Sequence, residues 1–78
     1  MIPAVCRSAR ALVGLTQREL ASAASISAQT VADYERGARQ PHPNNVAAIK
    51  GVFEAKGINF IELDGIIVGL DFANLLSR

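Results

Sequence analysis

The sequence predicts a mainly α fold, four short helices finished by a short C-terminal β-hairpin or strand. Three observations predict it. Thr16 is followed three residues later by Glu19, a capping box, and Ser27 stands where a further helix would be capped. Apolar and small residues recur at helical spacing as far as Phe53. After Gly57 that period gives way to two runs rich in Ile, Leu and Val on either side of Asp64-Gly65, the signature of a hairpin turn.

A first helix is expected over Pro3 to Val13, since proline is comfortable in a first turn. Ile2, Cys6, Ala9 and Val13 form its inward stripe, and Gly14 ends it. A second helix runs over Gln17–Ala24 and buries Leu20, Ala21 and Ala24. The small side chains of Ala21 and Ala24 let a third helix, Ala28–Arg36, cross at close range after the Ser25-Ile26 turn. Ile26, Val31 and Tyr34 face inward there, and Gly37 supplies a left-handed cap. A fourth helix opens on Pro43, shows Val46, Ile49 and Phe53 at i, i+3, i+7, is weakened slightly by Gly51, and ends at Gly57. A capped helical turn over Asp71–Ser77 would present Phe72, Leu75 and Leu76. The chain thus divides into a helix-turn-helix unit, 1–57, and a β-rich segment, 58–78.

Seventy-eight residues make one domain whose core is marginal by itself. No apolar run approaches the ~20 residues a membrane crossing needs, and Ile2–Val5 is too short for a secretory apolar region. The single cysteine forms no internal bridge, so a cytoplasmic, nucleoid-associated location is expected. Net charge is +1, but residues 1–56 hold seven Lys/Arg against four acids, whereas 57–78 hold one against three. The basic portion is the one with the paired helices. Cys6 and His42 have no His or Cys companion, so no metal is expected; Cys6 reads as a small buried hydrophobe, His42 as a helix cap or an exposed residue. Without an activated nucleophile, a carboxylate pair or a glycine-rich phosphate loop, no cofactor and no enzymatic activity are expected.

The stretch TQ-x-EL-A, then Ile26-Ser27, Thr30-Val31, Tyr34-Glu35-x-Gly37 and Pro41, resembles the phage repressor/Cro, or xenobiotic-response-element, family of helix-turn-helix regulators. The resemblance covers roughly residues 4–61. It implies a repressor-like fold, double-stranded DNA as partner, and a third helix laid in the major groove. It further implies that Gln17 anchors the DNA backbone and that Arg10 pairs with Glu35 as a structural ion pair. One departure stands out: the turn position usually held by glycine is Ser25, and a left-handed serine costs on the order of 1 kcal/mol.

On the third helix, Ser27, Ala28, Gln29, Ala32 and Asp33 are the candidates to face bases. Gln29 is the sharpest, because its amide matches adenine N6 and N7 together; Ala28 and Ala32 can meet thymine methyls. Asp33 either accepts from cytosine N4, is solvated, or pairs with an arginine. Thr30 serves phosphate or the cap, Arg36 and Arg39 flank the helix exit as phosphate contacts, and Arg18 and Asn44 are further backbone candidates.

Between Ile58 and Leu76, twelve of nineteen residues are Ile, Leu, Val, Phe or Ala. One small helical unit can cover only one face of a hairpin, which points to a homodimer through Phe60, Leu63, Ile66, Ile67, Val68, Leu70, Phe72 and Leu75. Alternatively the tail wraps its own domain, or grips a different protein as in an antitoxin or adaptor. A pure interaction domain that binds no DNA is the remaining rival.

Overall fold

The computed structural model describes residues 1–38 and 41–73. Four helices, α1 (Pro3–Val13), α2 (Gln17–Ala24), α3 (Ala28–Glu35) and α4 (Pro43–Ala55), precede an antiparallel hairpin of β1 (Asn59–Leu63) and β2 (Ile66–Asp71). Mainly helical with a C-terminal hairpin, this is the architecture the sequence predicts. Arg39, Leu75, Leu76 and Ser77 lie outside the described residues.

Local chemistry sets the boundaries. Pro3 opens α1 and Pro43 opens α4, each at a position whose N–H would have no helical partner. His42 caps α4, its Nδ1 accepting from the Asn44 N–H at 3.0 Å. The third helix is one residue shorter than expected: Arg36 is its cap, and Gly37 takes the left-handed φ of 74° that follows.

The core is formed by Cys6, Ala9, Leu20, Ala21, Ala24, Val31, Tyr34, Ile49, Phe53 and Ile58. Phe53 stacks obliquely on Phe60, ring centroids 6.2 Å apart, so α4 meets the hairpin through aromatic contact. The stripe of α1 differs from expectation at its ends. Val5 is buried whereas Ile2 is 40% exposed, because Ile2 is the cap residue and its N–H donates to the Ile67 carbonyl of β2 at 3.1 Å.

In the hairpin turn, Asp64 and Gly65 both adopt positive φ, 52° and 79°, as a two-residue connection between twisted strands requires. The register shifts between Ile61 and Glu62: Ile61 pairs with Gly69 but Glu62 with Ile67, leaving Val68 as the extra residue of a bulge. Phe60, Ile67 and Leu70 therefore pack toward the helices, while Ile61, Leu63 and Ile66 stand outward at 52, 63 and 52% exposure. This corrects the sequence expectation for Ile67. It is buried in the chain's own fold at 5% exposure, and Phe60 and Leu70, partly buried, pack against the helical core. Strand alternation thus divides the hairpin between side chains packed on the helices and side chains facing outward. A Lys50–Glu62 ion pair at 3.3 Å ties α4 to the strand edge.

Candidate nucleic-acid interface

The interface begins with how α2 and α3 are started. Thr16 Oγ1 accepts from the Glu19 N–H at 3.0 Å and Glu19 Oε1 accepts from the Thr16 N–H at 2.9 Å, the reciprocal capping box. Those bonds, the backbone one foremost, hold the Glu19 carboxyl below the usual carboxylate range. Ser25 closes α2 in the left-handed conformation, φ 57° and ψ 42°, where the resembling family usually has glycine. Ser27 then caps α3, its Oγ accepting from the Thr30 N–H at 3.0 Å. The two hydroxyls of Ser27 and Thr30 share a bond of 2.7 Å.

Beneath this pair of helices, Glu35 is a buried hub at 3% exposure. Arg10 grips it with Nη2 on Oε1 at 2.9 Å and Nε on Oε2 at 3.0 Å. Gln17 donates to Oε1 at 3.0 Å and the Cys6 thiol donates to Oε2 at 3.2 Å. Arg7 adds a bond to the Glu35 carbonyl. Burial alone would raise the Glu35 pKa, but the bonds from Arg10, Gln17 and Cys6, with the Arg10 charge, outweigh it and hold the carboxyl below its usual range. The same burial, with the carboxylate alongside, pushes the Cys6 thiol well up, so it stays protonated as a donor. Three helices are pinned at one carboxylate, which fixes the angle at which α3 is presented. Tyr34 adds a further tie from α3, its hydroxyl donating to the Met1 carbonyl.

Gln17 and Cys6 are the surprises in this cluster. Gln17, expected at a phosphate, has its side-chain NH2 turned inward to Glu35; what it still brings to the outer surface is its place in the first turn of α2, where backbone N–H groups lack helical partners. Cys6 is more than an apolar filler. Its spacing of four residues from Arg10 on α1 puts both side chains on one helix face, a signal readable in the sequence once Glu35 is known to lie opposite.

On the outer face, Ser27, Ala28, Gln29 and Arg36 are exposed, and Thr30, Ala32 and Asp33 are half-buried. Asp33 is the arginine-paired alternative: Arg36 forms an ion pair with its Oδ1, and Gln29 Nε2 donates to the same oxygen at 2.8 Å. Arg18 is exposed on α2 and Asn44 is exposed in the first turn of α4. A cleft of about 450 Å³ runs between α3 and the start of α4, its walls including Gln29, Asp33, Pro41, His42 and Asn45. His42 and Asn45 join this face without having been picked out as contacts. The Pro-His-Pro entry to α4 is the signal that could have found them, since it starts a helix beside the exit of α3. Among the described residues no group of three or more His, Cys, Asp or Glu could hold a metal ion. No helix among them is long and apolar enough to cross a membrane.

Comparison with known proteins agrees with this geometry. A family model described as helix-turn-helix matches residues 7–54, spanning α1 to the body of α4. The crystal structure of the clp gene regulator ClgR from Corynebacterium glutamicum superposes with a TM-score of 0.64 at 32% identity, covering 68% of this chain and 56% of that one. The match thus spans little more than half the length of that regulator. No curated protein sequence gives a significant match. With the match extending over more than half its length, and with a capped α2, a tight turn and an exposed α3 in place, the chain belongs to the XRE-type helix-turn-helix family of DNA-binding transcriptional regulators.

Proposed function

We propose that the chain binds a two-fold operator in double-stranded DNA as a homodimer and represses transcription by occluding the promoter. The observation that carries this reading is α3, which is capped by Ser27, polar on its exposed side, and held at a fixed angle by the Arg10–Glu35–Gln17 cluster. A helix so presented fits the major groove, with Gln29 as the reader of a base edge and Arg36, Arg18 and Asn44 toward phosphates. Arg39 extends that basic rim in sequence. Ala28 and Ala32 keep the helix surface shallow there.

The outward hairpin face supports the dimer. Ile61, Leu63, Ile66 and the bulged Val68 are apolar and exposed on the hairpin, Phe72 follows at 38% exposure, and a second copy related by a two-fold axis can cover them. The same apolar face also favours a second reading, in which a different protein takes the place of the second copy, as with an antitoxin.

Selection of bound duplexes from a random pool tests the proposal. Enrichment of an inverted repeat with half-site centres about 10 base pairs apart is the expected result. Affinity should fall steeply with salt, as counterion release requires. No enrichment at low salt, from folded protein, would overturn the DNA reading and leave the apolar hairpin face as the site to pursue. In the selected site, Gln29→Ala should cost about 1–3 kcal/mol and relax the preference at one position per half-site.

A further inference from the structure

We infer that Asp33 is a positioning residue for base recognition: it sets which way round Gln29 presents its amide, and so selects adenine at the base pair that Gln29 faces. The inference rests on the reading of α3 as the recognition helix.

Gln29 and Asp33 are one helical turn apart, and Gln29 Nε2 lies 2.8 Å from Asp33 Oδ1. A carboxylate only accepts, so it can hold only the NH2 end of the amide. The half-turn ambiguity of a free glutamine is thereby removed, and Oε1 is directed away from the acid. The amide nitrogen has two hydrogens, of which Asp33 uses one. The other lies beside Oε1, giving an adjacent donor and acceptor that match the N7 and N6–H of adenine. An amide turned the other way would exchange donor and acceptor at the same place and lose both bonds.

Arg36 completes the arrangement. Its guanidinium pairs with the same Oδ1, so the acid is charge-compensated where a bare carboxylate would repel phosphate. Asp33 is half-buried beside Tyr34, Pro41 and His42 in the cleft against α4, whereas Gln29 is exposed. The acid is therefore less exposed than the amide it holds, and its Oδ1 is engaged by both Gln29 and Arg36.

The test compares the full chain with Asp33→Ala, Asp33→Glu and Gln29→Ala in competition binding. The probes are the selected duplex and its three single-base variants at the position where Gln29→Ala relaxes preference. Alanine favours the helix, and circular dichroism checks that α3 persists. The wild type should prefer adenine, and Asp33→Ala should lose about tenfold of that preference. Binding of Asp33→Ala to random duplex should hold or strengthen, because one negative charge has gone. Asp33→Glu should restore most of the preference. Gln29→Ala and the double variant should be indistinguishable at that position.

An Asp33→Ala protein that keeps the wild-type preference overturns the inference, as does one that loses affinity equally on every duplex. If Gln29→Ala alters preference at no position, the reading of Gln29 itself fails and the inference falls with it. A Gln29 effect without an Asp33 effect removes only the inference.

Discussion

Glu35 offers the sharpest test of how the fold holds α3 at its angle. Replacing it by glutamine keeps size and shape but removes the charge and converts one of its two acceptor oxygens to a donor. In the native structure those oxygens accept from Arg10 at 2.9 and 3.0 Å, Gln17 at 3.0 Å and Cys6 at 3.2 Å. An amide in that place must point its NH2 at one of these donors. Breaking a buried pair costs about 3–5 kcal/mol, and the 23% exposure of the Arg10 side chain lets water recover part of it, so a loss of roughly 2–4 kcal/mol is expected. A domain of this length has only about 4–12 kcal/mol of stability in all. The melting temperature should therefore fall by roughly 10–25 °C, read by circular dichroism with urea titration to give the free energy. Acid adds a second signature. Because the folded carboxyl is held below its unfolded value of about 4.3, its contribution is complete above that pH and is lost as pH falls through the folded value. The variant should lack this acid-limb loss, so wild type and variant converge in stability toward low pH. A change below about 1 kcal/mol at neutral pH, or parallel acid profiles, would refute the hub.

The two faces of the hairpin separate in the same experiments. Ile67→Asp buries an acid at a site 5% exposed and should unfold the protein by about 3 kcal/mol or more. Leu63→Asp, at 63% exposure, should leave the fold intact and dissociate the proposed dimer in sedimentation; an unchanged dimer would place the interface elsewhere. Ser25→Gly should stabilise by about 0.5–1 kcal/mol, since it relieves the left-handed φ of 57° at the helix-turn-helix corner. A stability loss in urea titration would mean that the serine side chain offsets its own strain.

Features set by neighbours along the chain are legible without any structure. The Thr16–Glu19 box, the Ser27 cap, the prolines at the starts of α1 and α4, and the Asp64-Gly65 turn act within a few residues, so their geometry is written in local order. The partnership of Arg10 with Glu35 was legible only through family resemblance, because nothing local joins residues 25 apart. Tertiary structure alone decided the rest. The inward turn of Gln17, the recruitment of Cys6 as a donor, and the burial of Ile67 follow from which surfaces meet across the core. In the hairpin, the bulge at Val68 decides which apolar side chains face the helices. Composition had shown the tail to be apolar; register, a property of two paired strands and the helices beneath them, decided which part of it remains available.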